Sequence, residues 1–568
     1  DDGTFRPDNN ITRAEVVTMV NRFLGRNPNG AEGATFSDVE GHWAKSQILA
    51  ACGDENVTWT PVDNFANEYT LTGTSYKDYV TALYNQSGNL SADAIRRGVD
   101  TVSEQMKKDI LNTPNTKDLY GDRMTGTTYY VSEKNGNDSN DGLSPETAIK
   151  TISALTRKMR FPKKGTSILF ERGGIYRGQV AIPGNGITLG SYGEGPKPLL
   201  MQSRRDYADP NLWVETKWPN VWKCTESLNN VGVIGFDHDL FDYSDASYDE
   251  LYGEIMNYDL FGFKGAKDLS KDLQFYSVLE NDPSAETKNN ELYLYSDKGN
   301  PGSRFKSIEI GEKTNIISGA SNDVVIDNLA FKFTGAHGMG SAGGCKDRVV
   351  TNCVFSWLGG SILAIDFRNS GKPVNYGNAV EIYGSCNGYR VENCWMYQIY
   401  DTAVTHQFSD GTACTQEGVR YYGLLMEYCH WGIEFYNAPG DGKTNAKSKY
   451  TKDVHIAYNV CRTGGMGWGS KVRYRIGLLY CGSSLSTNED ELTEYNVFDR
   501  CHGYLLNLPA NSNEVDDKNI YIQTIGEPLG NLKGSVVTCD YNAAESIAKY
   551  WGDQNAVVIV IDPALQGA

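Results

Sequence analysis

From about residue 127 onward, apolar positions alternate with polar ones over short runs, and each run ends at a Gly, Asn or Asp. Alternation of this kind sends one set of side chains inward and the next outward, so it predicts strands rather than helices. Between Asn322 and Leu508 one phrase keeps returning: "VVIDNLAFKFTGAHGMGS", "VVTNCVFSWLGGSILAID", "YRVENCWMYQIYDTAVTHQ", "YYGLLMEYCHWGIEFYN", "HIAYNVCRTGGMGWGS" and "TEYNVFDRCHGYLLNLP". Each copy has an alternating strand, an Asn or small residue at a bend, an apolar position and a second strand. A unit of this size cannot bury its own apolar face, so the copies must stack into a solenoid. The expected fold is mainly β: a right-handed parallel β-helix over residues 127–568. Stretches that break the phrase, 408–418 and 438–452, are expected as outer loops walling a groove. An aromatic-rich interruption at about 200–300, with Trp213, Trp218 and Trp222, predicts an inserted β-rich lobe.

The pattern differs before residue 127. Thr12 followed by Glu15 forms a capping box, and Val16, Val17, Val20, Phe23 and Leu24 give the buried face of a short helix. A second segment, Phe36-Ser37-Asp38-Val39 and then Gly41-His42-Trp43-Ala44, leads into another helix. Ile95, Val99, Val102, Met106, Ile110 and Leu111 keep helical spacing and predict a helical connector. The chain therefore divides into a small helical region (1–84), a connector (85–126) and the β-helix (127–568). Where the β pattern opens, the turn "EKNGNDSNDGLSPETAIKTI" bends sharply, and 147–155 are expected to form a short helix capping the first coil. Asn137, Asp138, Asn140 and Asp141 in this turn are read as turn formers, with a structural calcium ion as the alternative. No other cofactor and no metal is expected.

Composition narrows the function. A net charge of −18 argues against a nucleic-acid partner, while 35 Tyr and 10 Trp offer stacking faces for neutral sugars. The 12 cysteines lack the dense spacing of a disulfide framework and form no CxxC pair, so they read as small buried thiols. No stretch is apolar enough to span a membrane. Residue 1 is neither Met nor the start of a signal peptide, so the chain is expected to be processed or truncated.

Strand alternation also sorts the candidate chemistry. In "WGIEFYN" Ile433 and Phe435 point in, leaving Glu434 and Tyr436 outward. In "GNAVEIYGS" Val380 and Ile382 point in, leaving Glu381 outward. Aligning "DTAVTHQ" on "WGIEFYN" sets Asp401 beside Trp431 and His406 over Tyr436, one strand spacing of about 5 Å apart. Glu381, Asp401 and Glu434 then fall on three consecutive coils, with His406, Tyr436, Trp431 and Trp468 around them as substrate-binding candidates. Asp366 and Arg368, in "AIDFRN", are held in reserve. Two carboxyl groups across a sugar are what glycoside hydrolysis requires, one protonated and one ionised.

Two resemblances extend this reading. "DGTFRPDNNITRAE" and "FSDVEGHWAKSQILAA" resemble the end of one S-layer homology repeat and the start of the next. The likeness implies binding of a secondary cell-wall polymer through Asp2, Gly3, Thr4, Arg13 and Trp43, and an extracellular place on a Gram-positive-type wall. "YGNAVEIYGSCNGYRVENCWMYQIYDTAVTHQ", "LLMEYCHWGIEFYN" and "GMGWGS" resemble bacterial β-helix proteins related to glycoside hydrolases of the β-xylosidase and lacto-N-biosidase types. That likeness implies hydrolysis by Asp401 with Glu381 or Glu434. A polysaccharide lyase on the same fold, using His406, Tyr436 and Arg368, is an alternative. A non-enzymatic adhesin or S-layer-associated structural protein is another.

Overall fold

The computed structural model describes residue 18 and residues 68–159, 161–243, 250–257, 262–279, 290–342, 344–366, 372–408, 414–436, 449–469, 477–481, 487–508 and 514–563. Contacts divide the chain into two units, residues 1–68 with 89–94, and residues 69–88 with 95–568. Asp2, Gly3, Thr4, Arg13 and Trp43 lie outside the described residues. No described helix is long and apolar enough to cross a membrane.

The second unit is built on a right-handed parallel β-helix. Among the described residues, three long sheets of eleven, ten and ten strands run along it. Consecutive strands pair in parallel, save for a terminal hairpin of Pro528–Leu532 with Ser535–Thr538. One coil takes Val324–Asp327 from the first sheet, Ala330–Thr334 from the second and Met339–Ala342 from the third. The bend between the first and second sheets needs a left-handed residue. Asn328, Asn352 and Asn393 supply it at φ of 59°, 55° and 47°. Asn tolerates this conformation because its short amide bonds locally, which explains the repeated Asn of the sequence phrase.

Parallel register then stacks like on like. Phe331, Phe355, Met396, Met426, Cys461, Phe498 and Tyr521 form one continuous inward column on the second sheet. Phe331 and Phe355 stack with centroids 4.7 Å apart. Near the C-terminal end, buried Asn459, Asn496 and Asn519 form an amide ladder, each Nδ2 donating to the next side-chain oxygen, and Asp553 terminates it. The ten cysteines whose side chains are described are all buried.

Two helices, Tyr76–Ser87 and Ala92–Leu111, carry the connector pattern. Ile95, Val99, Val102, Met106 and Ile110 are all buried. Lys107 meets Glu427 at 3.3 Å, and Arg462 meets Asp100 at 2.5 Å, tying the second helix to the second sheet. The short helix at the first coil spans Ile152–Lys158, later than the expected 147–155, because Thr151 caps it with its side chain on the Ala154 N–H. In the preceding turn Asp138 accepts from the Lys150 and Thr151 N–H groups, and Asp141 from Leu143 N–H and the Thr147 hydroxyl. The lobe carries a five-stranded sheet between Trp213 and Tyr295.

Candidate active site

The third sheet positions the chemistry. Its strands Met339–Ala342, Val380–Tyr383, Thr402–Gln407 and Trp431–Tyr436 lie side by side. Val380, Val404 and Ile433 pair across the strands and face the core, as do Ile382, His406 and Phe435. The alternate positions face outward and form a column of Gly340, Glu381, Thr405 and Glu434. Glu381 and Glu434 thus share a face, with one rung between them.

The register differs from the sequence alignment by one residue. Asp401 stays in the bend, where its carbonyl accepts the Trp431 N–H at 2.9 Å, so pairing begins with Thr402 opposite Trp431. His406 consequently stacks on Phe435, not on Tyr436, with ring centroids 5.5 Å apart and planes at 11°. It is fully buried, and its Nδ1 meets the Tyr421 hydroxyl at 3.2 Å. Burial pushes its pKa down to about 3, so it is a neutral core side chain and does not reach a substrate.

Trp468 is also turned away from the groove. It is 4% exposed, its indole N–H donates to the Gln398 carbonyl at 2.8 Å, and it packs on Trp357 and Tyr400. Trp357 in turn donates to Glu250 and touches Tyr252, so this aromatic group holds part of the insert against the second sheet. Trp431 is half-buried at the start of its strand, on the same alternate set as Ile433, with its ring 5.1 Å from that of His430. The side chains of Tyr436 and Asp366 and all of Arg368 lie outside the described residues.

The three carboxylates have different surroundings. Glu434 is 5% exposed, and its Oε2 accepts from Thr402 and Thr405 at 3.2 Å and from Gln407 at 2.7 Å. Asp401 is 9% exposed, and its N–H reaches the Gly377 carbonyl. Glu381 is pushed up to about 8, first by burial and then by the charge of Asp401. It is a carboxylic acid at neutral pH.

Sequence reasoning missed the groups that frame Glu381. His337 places Nε2 at 3.2 Å from Glu381 Oε2. Its Nδ1 accepts the Asn378 N–H at 3.0 Å, so Nδ1 is bare and Nε2 carries the hydrogen that Glu381 receives. Burial lowers His337 to about 3, which makes the contact a hydrogen bond between neutral groups, not an ion pair. Tyr376 packs edge-on against His337 at 4.9 Å, and the Lys313 ammonium sits 5.5 Å from the Tyr376 ring. The signal was present in "GAHGMGS": pairing Met339 with Val380 places His337 one coil from Asn378. A Cβ on Gly340 would approach the Asn315 amide to 2.3 Å, so the column is left without a side chain beneath Glu381.

Comparison with known proteins gives matches of two kinds. Residues 1–17 match the S-layer homology domain. A stretch of 68 residues is 47% identical to a cellulosome-anchoring protein of Acetivibrio thermocellus, covering 11% of this chain and 15% of that protein. The chain therefore spans a small part of that relative. Among solved structures, XylC with xylose is 10% identical over 77% of this chain and 82% of that one, with a TM-score of 0.37. A GH136 lacto-N-biosidase from Eubacterium ramulus is 12% identical over 98% and 80%, also at 0.37. A rhamnogalacturonan lyase is 11% identical over 70% and 74%, at 0.35.

Proposed function

We propose that this protein is a glycoside hydrolase displayed at the cell surface, with Glu381 as general acid and Asp401 as its ionised partner. The observation that carries this reading is the environment of Glu381: a carboxyl only 17% exposed, kept protonated at neutral pH, beside a second carboxylate whose charge helps keep it so. Cleavage of a glycosidic bond needs a proton for the leaving oxygen. It also needs a carboxylate that attacks the anomeric carbon or activates water. Glu434, fixed by three donors, shapes the floor of the same face.

Display at the surface rests on the N-terminal match to the S-layer homology domain and to a protein whose name describes anchoring. In this reading Asp2, Gly3, Thr4, Arg13 and Trp43 contribute to binding a secondary cell-wall polymer on a Gram-positive-type wall.

The test is product analysis on a panel of neutral oligosaccharides and plant or host glycans. Wild type should release reducing sugar without new ultraviolet absorbance, and Glu381→Gln should lower the rate by about 10²–10⁴-fold while staying folded. An unsaturated, absorbing product would identify a lyase. Tight glycan binding with no product would identify an adhesin. Wild-type rates in Glu381→Gln would remove Glu381 from the chemistry.

A further inference from the structure

We infer that His337 is a positioning residue for the proposed acid: its Nε2–H, turned toward Glu381 by the backbone of Asn378, fixes which carboxyl oxygen carries the proton. The inference rests on the hydrolase reading for its function, and on the contact geometry together with the protonated state of Glu381 for its chemistry. His337 precedes the strand Met339–Ala342, one coil before Glu381. Its ring is 8% exposed and has no freedom to exchange tautomers, because the Asn378 N–H already occupies Nδ1. Nε2–H therefore donates to Glu381 Oε2 at 3.2 Å. The carbonyl oxygen of a carboxylic acid is a stronger acceptor than its hydroxyl, so the contact at Oε2 favours the proton on Oε1.

Asn378 couples this to the second carboxylate. Its backbone carbonyl accepts the Gly338 N–H at 2.9 Å, and its side-chain Oδ1 accepts the Thr402 N–H at 3.1 Å. One residue thus braces His337 on the coil before and the bend of Asp401 on the coil after. Among the described residues, the groups facing Glu381 include His337, Tyr376 and Asp401, while Glu434 stands two coils on behind Thr405. Of these, His337 is the neutral donor, Tyr376 is held protonated by burial and by Glu381, and Asp401 is the charge that opposes ionisation. Removing the Nε2–H takes away a group that favours the ionised carboxylate and leaves the burial and the Asp401 charge in place.

Two variants of the whole chain test this. His337→Phe keeps the ring volume without the donor, and His337→Gln returns an amide N–H near the same place. The readouts are the alkaline limb of kcat/KM and a carbon-13 titration of the glutamate side chains, assigned with Glu381→Gln. In His337→Phe the Glu381 titration should rise by about one pH unit, the size of one hydrogen bond to an ionised group. The alkaline limb should rise with it, and kcat should fall by about tenfold or more. In His337→Gln both titrations should lie close to wild type. An unmoved Glu381 titration in His337→Phe, or an equal shift in both variants, would overturn the inference. If wild type releases no sugar, the hydrolase reading falls, and the carbon-13 titration still decides the role of His337.

Discussion

An acid kept protonated by burial must cost the fold stability wherever the unfolded chain would ionise it. Glu381 is raised from 4.5 to about 8. Above 4.5 the unfolded state has released this proton while the folded state still holds it, so stability falls as pH rises and levels off near pH 8. At about 1.36 kcal/mol per pH unit, the interval amounts to roughly 5 kcal/mol. Glu381→Gln removes the term and keeps an oxygen to accept from His337. Wild type and variant should therefore melt together near pH 4.5, and the variant should gain steadily above it. With a melting entropy of about 2.1 cal/mol/K per residue over a solenoid of about 440 residues, the gap at pH 8.5 is roughly 5 °C. Differential scanning calorimetry of both proteins across pH 4.5–8.5 measures it. Parallel curves over that range, or a variant less stable than wild type at pH 8.5, would refute the assignment of Glu381 as a neutral buried acid.

Three further outcomes follow from the packing. Asn496→Ala should cost about 3 kcal/mol, because the Asn459 N–H and Nδ2 and the Ile456 carbonyl all lose partners inside the ladder; denaturant titration reads this, and a near-neutral effect would deny the ladder its weight. His406→Phe should stay within about 1 kcal/mol of wild type and keep its rate, since it exchanges one hydrogen bond for apolar area beside Phe435; a large loss of turnover in a folded variant would return His406 to the substrate. Trp468→Ala should cost about 3–5 kcal/mol and raise limited proteolysis of the lobe, whereas an intact lobe would show that the aromatic cluster does not hold it.

The period-two pattern made the solenoid legible because every coil repeats the same inward positions, and errors in one coil are corrected by the next. Val380, Ile382, Ile433 and Phe435 were assigned inward on alternation alone, and Glu381 and Glu434 outward with them. What alternation does not carry is register between rungs. Asp401 precedes its strand instead of beginning it, and that single residue moved His406 from the groove to the core. Trp468 was misread for a related reason. An aromatic beside glycines looks available in a string, yet Gly360 and Gly469 are small so that Trp468 and Tyr400 can close over them. His337 lies in the repeated phrase but is hard to connect with Glu381, which is 44 residues away in sequence and adjacent only through the pitch of the coil.

That pitch also decides which carboxylate works with Glu381. Glu381 and Glu434 share a column with Thr405 between them, so two strand spacings, about 9.6 Å, separate their backbones. Carboxyl groups two strands apart lie nearer the wide separation of inverting enzymes, about 6.5–9.5 Å, than the 5–5.5 Å or so of retaining ones. Three donors, all on the preceding strand Thr402–Gln407, further commit Glu434 Oε2 to that strand, leaving it poorly placed to follow a reacting atom. Asp401 sits in a bend, outside the ladder, and its charge already acts on Glu381. Asp401→Asn should therefore lower the rate by about 10³-fold or more, and Glu434→Gln by about tenfold, at unchanged fold. The opposite order, together with inverted product stereochemistry by proton NMR, would make Glu434 the base and reduce Asp401 to the group that keeps Glu381 protonated.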